Sequence, residues 1–546
     1  MIGGAIGQGM LVGTLAAPLI LLVACLSGRL RRHALALAPF APLPALAAAL
    51  LAIGGPPLTF ALPALRLGLL LDAPGAMLLA VAALLWIGGG VYAFRDLRGK
   101  PKAELFAVGW LLTLTGSLGV FIAADLLTFY FVYALVSIPA FVLVAHDDDA
   151  AAARAGGVYM AFTVLGETFL LMGFVLLAAG EPSGSLAIRD VMAALPGSPW
   201  RDAALALTVL AFGLKIALVP MHGWMPLAYS AAPIPAAAVL SGAAVKAGVI
   251  GMIRFLPLGA ALPGWGETLA AIGLFSAFYG VAIGVTQQNP KTVLAYSSIS
   301  QMGVIAAVLG MGLAAGDRSA ALDAAFYGAH HVIVKGALFL AVGVAAASSR
   351  RRLWLTLAPA LVLALSLGGL PLTGGALAKL AVKTQLGDGP VGALAAFSAA
   401  GTTLLMLHFL RRLADEASRE AEAAAPAGLI APWLAMALAA VLVPWLLYPR
   451  MGGHVADALT PYALWEGLWP VLIGAALALL LQRWGDRLPR PPAGDIVGIG
   501  EDAFRKSFVI GAALERADGE IRQWPAAAVS LLVLAIVFGA AMMIRL

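Results

Sequence analysis

Cysteine is nearly absent, with one residue, Cys25, in 546. A single thiol can neither hold an iron–sulfur cluster nor close an internal disulfide, so Cys25 reads as an inert group facing lipid or core. Charge is scarce too. Only 11% of residues are Asp, Glu, Lys or Arg, 62% are hydrophobic and mean hydropathy is +0.96. Ordinary soluble domains carry about 25% charged residues, so the length does not mean a string of soluble domains. The composition predicts an all-α polytopic membrane protein. No basic patch is interleaved with aromatics, and the net charge of +6 lies in loops, so nucleic acid is not an expected partner. The N-terminal MIGGAIGQGM lacks a basic n-region, and the first apolar run is read as a retained span. No haem- or flavin-type motif is present, and neither a cofactor nor a metal is expected.

What is abundant is apolar sequence in runs of about 20 residues, the length that crosses a bilayer. Sixteen spans are predicted, at 8–27, 34–54, 72–94, 104–123, 125–145, 157–179, 203–225, 232–256, 266–287, 291–314, 322–346, 354–384, 388–410, 428–448, 463–482 and 525–544. The 62 glycines suit close helix packing. Basic residues concentrate in loops after odd-numbered spans: RLRRH at 29–33, RDLRGKPK at 95–102, RRR at 350–352 and RRLADEASR at 411–419. By the positive-inside rule those loops are cytoplasmic, which puts both termini on the outer side of a cytoplasmic (inner) membrane. The long connection at 483–524 has Phe504, Phe508, Leu514, Ile521 and Trp524 at helical spacing, with charges opposite. It reads as an amphipathic helix lying laterally before the last span, either as a plain surface helix or as a clamp on a partner.

Against this background the ionisable residues inside spans stand out: Glu167, Lys215, Lys246, His330, His331, Lys335, Lys379, Lys383 and His408. An ammonium at membrane depth costs about 2.5–3.5 kcal/mol on insertion scales, so it is kept where it faces a protein-lined or watery interior. Lys215 and Lys246 lie mid-span, where snorkelling to the interface would be strained. Lys335 follows His331 by four residues and Lys383 follows Lys379 by four, so each pair shares a helix face. Lys383, nearer its span end, fits either snorkelling or function, and His408, followed by two arginines, reads as a packed or interfacial histidine. Five prolines fall between 220 and 257, and Pro220 is expected to break the helix just past Lys215. A second break is expected at GGLPLTGG (368–375), through Pro371 and Gly374, just before Lys379. The order of break and lysine is reversed between the two, as inverted-topology repeats would give. Unlike arginine, a buried lysine can change protonation near neutral pH, so a row of lysines and histidines bridged by water suits a proton wire.

The segment GLKIALVPMHGWMPLAYSAAPIPAAAVLSGAAVKAGVIGMIRF resembles the signature of the proton-conducting antiporter-like subunits. That family is shared by respiratory complex I, Mrp-type cation/proton antiporters and related hydrogenase membrane arms. NPKTVLAYSSISQMG (289–303), HVIVKGALFL (331–340) and LGGLPLTGGALAK (367–379) resemble its next conserved stretches. The resemblance implies two inverted five-helix repeats, spans four to eight and nine to thirteen, and a polar axis through Lys215, Lys246, His331, Lys335 and Lys379. Residues 1–100 would then be N-terminal helices, and 101–410 the core, with repeats at 104–257 and 266–410. Further spans would occupy 411–482, the surface helix 483–524, and the last span 525–546.

One position departs from the family. In DLLTFYFVYALVSIP (125–139) the family's glutamate, the usual partner of the Lys215 equivalent, is Ala134. Glu167 in VLGETFLLMG is then read as the substitute partner. The alternative is a locally hydrogen-bonded Glu167 beside a neutral Lys215.

The predicted function is proton translocation, with or without Na⁺ exchange, in a multi-subunit membrane complex. The expected partners are other integral membrane subunits, soluble redox subunits if the complex is a redox one, and lipid. Three alternatives stay open: a quinone-reactive redox subunit without its own redox centre, an energy-coupling subunit for inorganic-carbon uptake, and a non-transporting scaffold.

Overall fold

The computed structural model describes residues 2–62, 65–147, 149–420, 424–498 and 500–501. The last predicted span and most of the lateral helix lie outside these residues. The first compact unit runs to Ala493 and holds all the helices named here.

The longer helices run α1 (Ile2–Ala24), α2 (Leu43–Leu51), α3 (Ala73–Leu97), α4 (Ala103–Gly119), α5 (Leu126–Ser137), α6 (Ala150–Ala179), α7 (Arg201–Lys215), α8 (Trp224–Ala231) and α9 (Ile234–Val239). They continue as α10 (Lys246–Phe255), α11 (Pro263–Gly284), α12 (Pro290–Ala315), α13 (Ala320–Ala346), α14 (Trp354–Gly368), α15 (Gly374–Leu386), α16 (Pro390–Asp415), α17 (Ala427–Leu447) and α18 (Pro461–Trp484). Among the described residues, 12 helical stretches are long and apolar enough to cross a membrane, and α4 and α14 are shorter apolar helices. Each of the first fifteen predicted spans falls on a helical stretch. The difference in count comes from the last span, from the two interrupted spans at 203–225 and 354–384, which divide into shorter pieces, and from α4, an unbroken helix of 17 residues. One feature absent from the helical reading is a hairpin between α2 and α3. Strands β1 (Leu58–Leu62) and β2 (Leu65–Leu69) pair antiparallel, with Leu58 opposite Leu69.

Helix starts follow from the sequence. Asp72 caps α3 by accepting from the Gly75 amide, and Asp125 caps α5 by accepting from the Thr128 amide. At the other end of α4, Arg254 reaches across from α10. Its guanidinium donates to the carbonyls of Val120, Phe121 and Ala123 and to Asp72 at 2.5–3.3 Å. That satisfies carbonyls a helix end leaves open and ties three segments together, α10, the chain just past α4 and the start of α3.

Both predicted breaks are interruptions of a helix. α7 stops at Lys215, and Ala217 takes a left-handed φ of 59° before the chain re-enters helix at Trp224. The Trp224 indole donates to the Leu214 carbonyl left open by the break, at 2.9 Å. α14 stops at Gly368, with Gly369 at φ 93° closing the end, a conformation that favours glycine. α15 restarts at Gly374. A third irregularity has no proline: Leu240–Ala244 is a π-helical turn immediately before Lys246. Such turns recur at functional sites.

The most buried helical stretch is Ile234–Phe255, with only Ile234 and Arg254 partly exposed, followed by the largely buried α12 and α13. α11 and α12 pack through glycines seven residues apart. A Cβ on Gly273 would lie 2.5 Å from the Gly303 carbonyl oxygen, and one on Gly303 2.3 Å from that of Gly273. Backbone leaves no room to yield, so Gly303→Val is expected to destabilise the protein by about 1–3 kcal/mol or more. Thermal unfolding of the purified protein in mild detergent checks this. An unchanged transition would mean that the two helices can separate freely.

Candidate functional site

The polar interior can be followed from one interruption to the other. At the first, Lys215 ends α7, where the open carbonyls of a helix C-terminus favour a cation. Its Nζ donates to Ser137 Oγ at 2.8 Å and stands 5.5 Å from the centre of the Tyr133 ring. Ser137, the last residue of α5, is a junction. Its hydroxyl donates to the Tyr133 carbonyl at 2.7 Å, and its own carbonyl accepts from the Tyr159 hydroxyl at 2.7 Å. Glu167 of α6 lines a cavity of about 20 Å³ together with Ser137, Tyr133, Thr163 and Lys215. That is room for one water. Both Glu167 carboxylate oxygens are buried, and the Ser137 side chain is the hydrogen-bonding group beside them. Glu167 and Lys215 therefore share a cavity without touching, and Ser137 stands between them. Ala134 is one helical turn before Ser137, on the same face of α5.

Lys215 packs against α10, where a Cβ on Gly248 would lie only 3.0 Å from Lys215 Cβ. Lys246, two residues earlier, is fully buried, and its Nζ sits 3.0 Å from His331 Nδ1 and 3.8 Å from Met302 Sδ. An ammonium donates to an unprotonated Nδ1, whereas a neutral amine accepts from an Nδ1–H, so this contact accommodates one proton on either side. His331 Nε2 is buried with no partner. Lys335, one turn further along α13 and also fully buried, donates to the Leu294 carbonyl at 2.8 Å.

His330 points the other way. Its Nε2 is 2.9 Å from Ser366 Oγ, which also accepts from the Gly375 amide at 3.1 Å. Ser366 thus holds the second interruption together, with His330 packed where a Cβ on Gly374 or Gly375 would stand. Lys379 of α15 donates to the Gly368 carbonyl at the end of α14. Both interruptions accordingly place a lysine at the C-terminal end of a stopped helix.

Lys379 also lines a cavity of about 310 Å³ between α12, α13, α15, α16 and α18. One wall is a hydrogen-bonded chain. The Tyr327 hydroxyl donates to Gln301 Oε1 at 2.7 Å, and Gln301 Nε2 donates to Thr402 Oγ1 at 3.0 Å. Lys383 lines the same cavity and contacts Tyr462 and Glu466 of α18. At this end of α15, Gln385 donates to Asp317, Ser319 and Asp323. That bond from Gln385, followed by those from Ser319, holds the Asp317 carboxyl below the usual carboxylate range.

Of the residues singled out in the sequence, Glu167 and Lys215 share one cavity, Lys246, His331 and Lys335 form the centre, and His330 and Lys379 flank the second break. Pro220 lies in the first interruption, and Pro371 and Gly374 in or at the end of the second. Lys383 does not snorkel alone but is paired. His408 is buried, 2.7 Å from the Gln287 carbonyl, and makes no hydrogen bond to the other singled-out residues. Sequence reasoning missed Ser137, Ser366, Arg254 and Glu466. The serines leave no compositional signal, but the two charged residues lie within or at the edge of predicted spans and belong with the other intramembrane charges.

Residues 123–405, just over half of the chain, match the family described as NADH:quinone oxidoreductase/Mrp antiporter, TM. The chain is similar to hydrogenase-4 component B of Escherichia coli, 28% identical over 53% of this chain and 44% of that protein. It is also similar to the Na(+)/H(+) antiporter subunit A1 of Staphylococcus aureus, 32% identical over 53% of this chain and 39% of that protein. It thus spans less than half the length of these curated relatives. Its fold resembles a chain in the structure of the Mrp complex from Dietzia sp., with a TM-score of 0.75 and 21% identity, covering 99% of this chain and 63% of that one. The chain is a member of the NADH:quinone oxidoreductase/Mrp antiporter transmembrane family.

Proposed function

We propose that the chain is a proton-translocating, antiporter-like subunit of a multi-subunit membrane complex. The observation that carries this reading is the set of buried and half-buried titratable groups from Glu167 and Lys215, through Lys246, His331 and Lys335, to His330 and Lys379. Buried ammonium groups are costly, and proton movement gives them a use that packing does not. Glu167 acts as the substitute for the carboxylate missing at Ala134, relaying to Lys215 through Ser137 or the water-sized cavity. The paired arrangement of lysines at two stopped helices supports the two inverted repeats, spans four to eight and nine to thirteen. Basic loops support a cytoplasmic side for the odd-to-even connections, and with them for the C-terminal end of α13.

Relatives named for a hydrogenase and for a cation/proton antiporter support membrane subunits as partners. Co-purification from mild detergent decides whether soluble redox subunits join them. The function is tested by following proton movement with a ΔpH-sensitive dye in everted membrane vesicles that contain the assembled complex. Lys335→Met is expected to lower the rate by roughly 10²-fold, the scale of losing a positioned proton-transfer group. Wild-type rates in Lys335→Met vesicles would remove Lys335 from the path.

A further inference from the structure

Glu466 lies on α18, beyond the matched family segment, yet it faces the same cavity as Lys379. α18 begins at Pro461 behind a Thr460 cap, which turns Tyr462 and Glu466, four residues apart, onto one helix face. Lys379 and Lys383 occupy one face of α15 by the same spacing. The two faces meet across the cavity of about 310 Å³. There Lys383 Nζ is 2.7 Å from the Tyr462 hydroxyl, 3.3 Å from Glu466 Oε2 and 3.7 Å from Asp388 Oδ1. Asp388 is 90% exposed, so the cavity runs from a half-buried Lys379 to the surface, past a lysine with a carboxylate on either side. The volume holds several waters, and its walls carry enough polar groups to order them.

Resting on the relay reading above, we propose that Glu466 is the terminal carboxylate of the path, taking the proton that Lys379 releases and delivering it at the mouth beside Asp388. The Lys379 ammonium gives up one proton and becomes the neutral amine. The Glu466 carboxylate takes that proton through cavity water and becomes the carboxylic acid. Neutralised, it no longer holds Lys383, whose ammonium has Asp388 within reach as its next partner. Release of the proton to the outside restores the carboxylate and its ion pair. In this scheme α18 completes the second half of the path as Glu167 completes the first, each with a carboxylate from outside the family's usual position.

The test uses everted vesicles with the assembled complex, its amount checked on native gels. Glu466→Gln keeps the size and a hydrogen-bonding group but cannot carry a proton as an acid. It is expected to lower the translocation rate by at least about tenfold. Glu466→Asp keeps the carboxyl group and is expected to retain most of the rate. A packing role predicts the reverse order, because Gln preserves shape better than Asp does, and that result overturns the proposal. Wild-type rates in Glu466→Gln vesicles alongside an inactive Lys379→Met also overturn it, while leaving the relay intact. Wild-type rates in Lys379→Met would sink the relay reading itself.

Discussion

Replacing Glu167 by Gln is expected to slow proton translocation by roughly 10²-fold, and adding Glu at position 134 is expected to restore much of the loss. Glu167 is the carboxyl group that shares a cavity with Lys215, with the Ser137 side chain as the hydrogen-bonding group beside it. A carboxylate held this way has no packing duty that Gln could not perform. Gln is of the same size, so the fold should be retained and the loss should appear in rate and not in the amount of complex. The rescue follows from α5. Residue 134 is one turn before Ser137, and Ser137 already accepts from Lys215 at 2.8 Å. A glutamate at 134 therefore reaches the same lysine from the other side of the same serine. The measurement is the initial rate of ΔpH formation for wild type, Glu167→Gln, Ala134→Glu and the double variant. An active Glu167→Gln would show that Lys215 works without it. An inactive double variant beside an active Ala134→Glu would mean that the two positions are not interchangeable.

How much of this was legible in the sequence depends on the type of signal. Lysines were easy to see, because an ammonium in an apolar run contradicts its surroundings. Both helix interruptions were legible for a related reason: proline removes a donor and glycine permits the left-handed end, and each leaves a letter in the chain. The π turn at Leu240–Ala244 leaves none, since it is made of ordinary helix residues and is imposed by packing. A Cβ on Gly242 would lie 2.2 Å from Leu85 Cδ2 and 2.9 Å from the Val332 carbonyl oxygen. Ser137 and Ser366 were invisible for a similar reason. Serine is common on buried helix faces, and only the partner across the fold, Lys215 or His330, makes it matter. Glu466 lies in the second turn of its helix, where a carboxylate is usually a favourable end charge and draws no notice. The hairpin at 58–69 does alternate, Leu58, Phe60 and Leu62 against Thr59 and Ala61, and Leu65, Leu67 and Leu69 against Arg66 and Gly68, but in two five-residue runs too short to stand out among long apolar helices. The interrupted spans escape a length criterion, because half-helices are held by their neighbours and not by their own length.

Lys246 presents the sharpest separation of stability from activity. It is fully buried, and its contacts are an imidazole nitrogen and a thioether, neither of which is an anion. Replacing a buried charged group by an apolar residue of similar volume is often neutral, or stabilising by about 1–4 kcal/mol. Lys246→Met is therefore expected to leave the melting temperature unchanged or higher while lowering translocation by roughly 10²-fold or more. Stability and function move in opposite directions only where a costly group is kept for use. Lys246→Arg distinguishes what that use is. Arginine supplies the same charge in the same place but does not give up its proton in proteins, so it can hold a field but cannot pass a proton to His331. If Lys246→Arg translocates at the wild-type rate, Lys246 acts as a fixed charge and the proton bypasses it. If Lys246→Arg is as inactive as Lys246→Met while the complex assembles normally, proton exchange at the Lys246–His331 contact is the step that was lost. A Met variant that is both inactive and markedly less stable would instead make Lys246 a structural group.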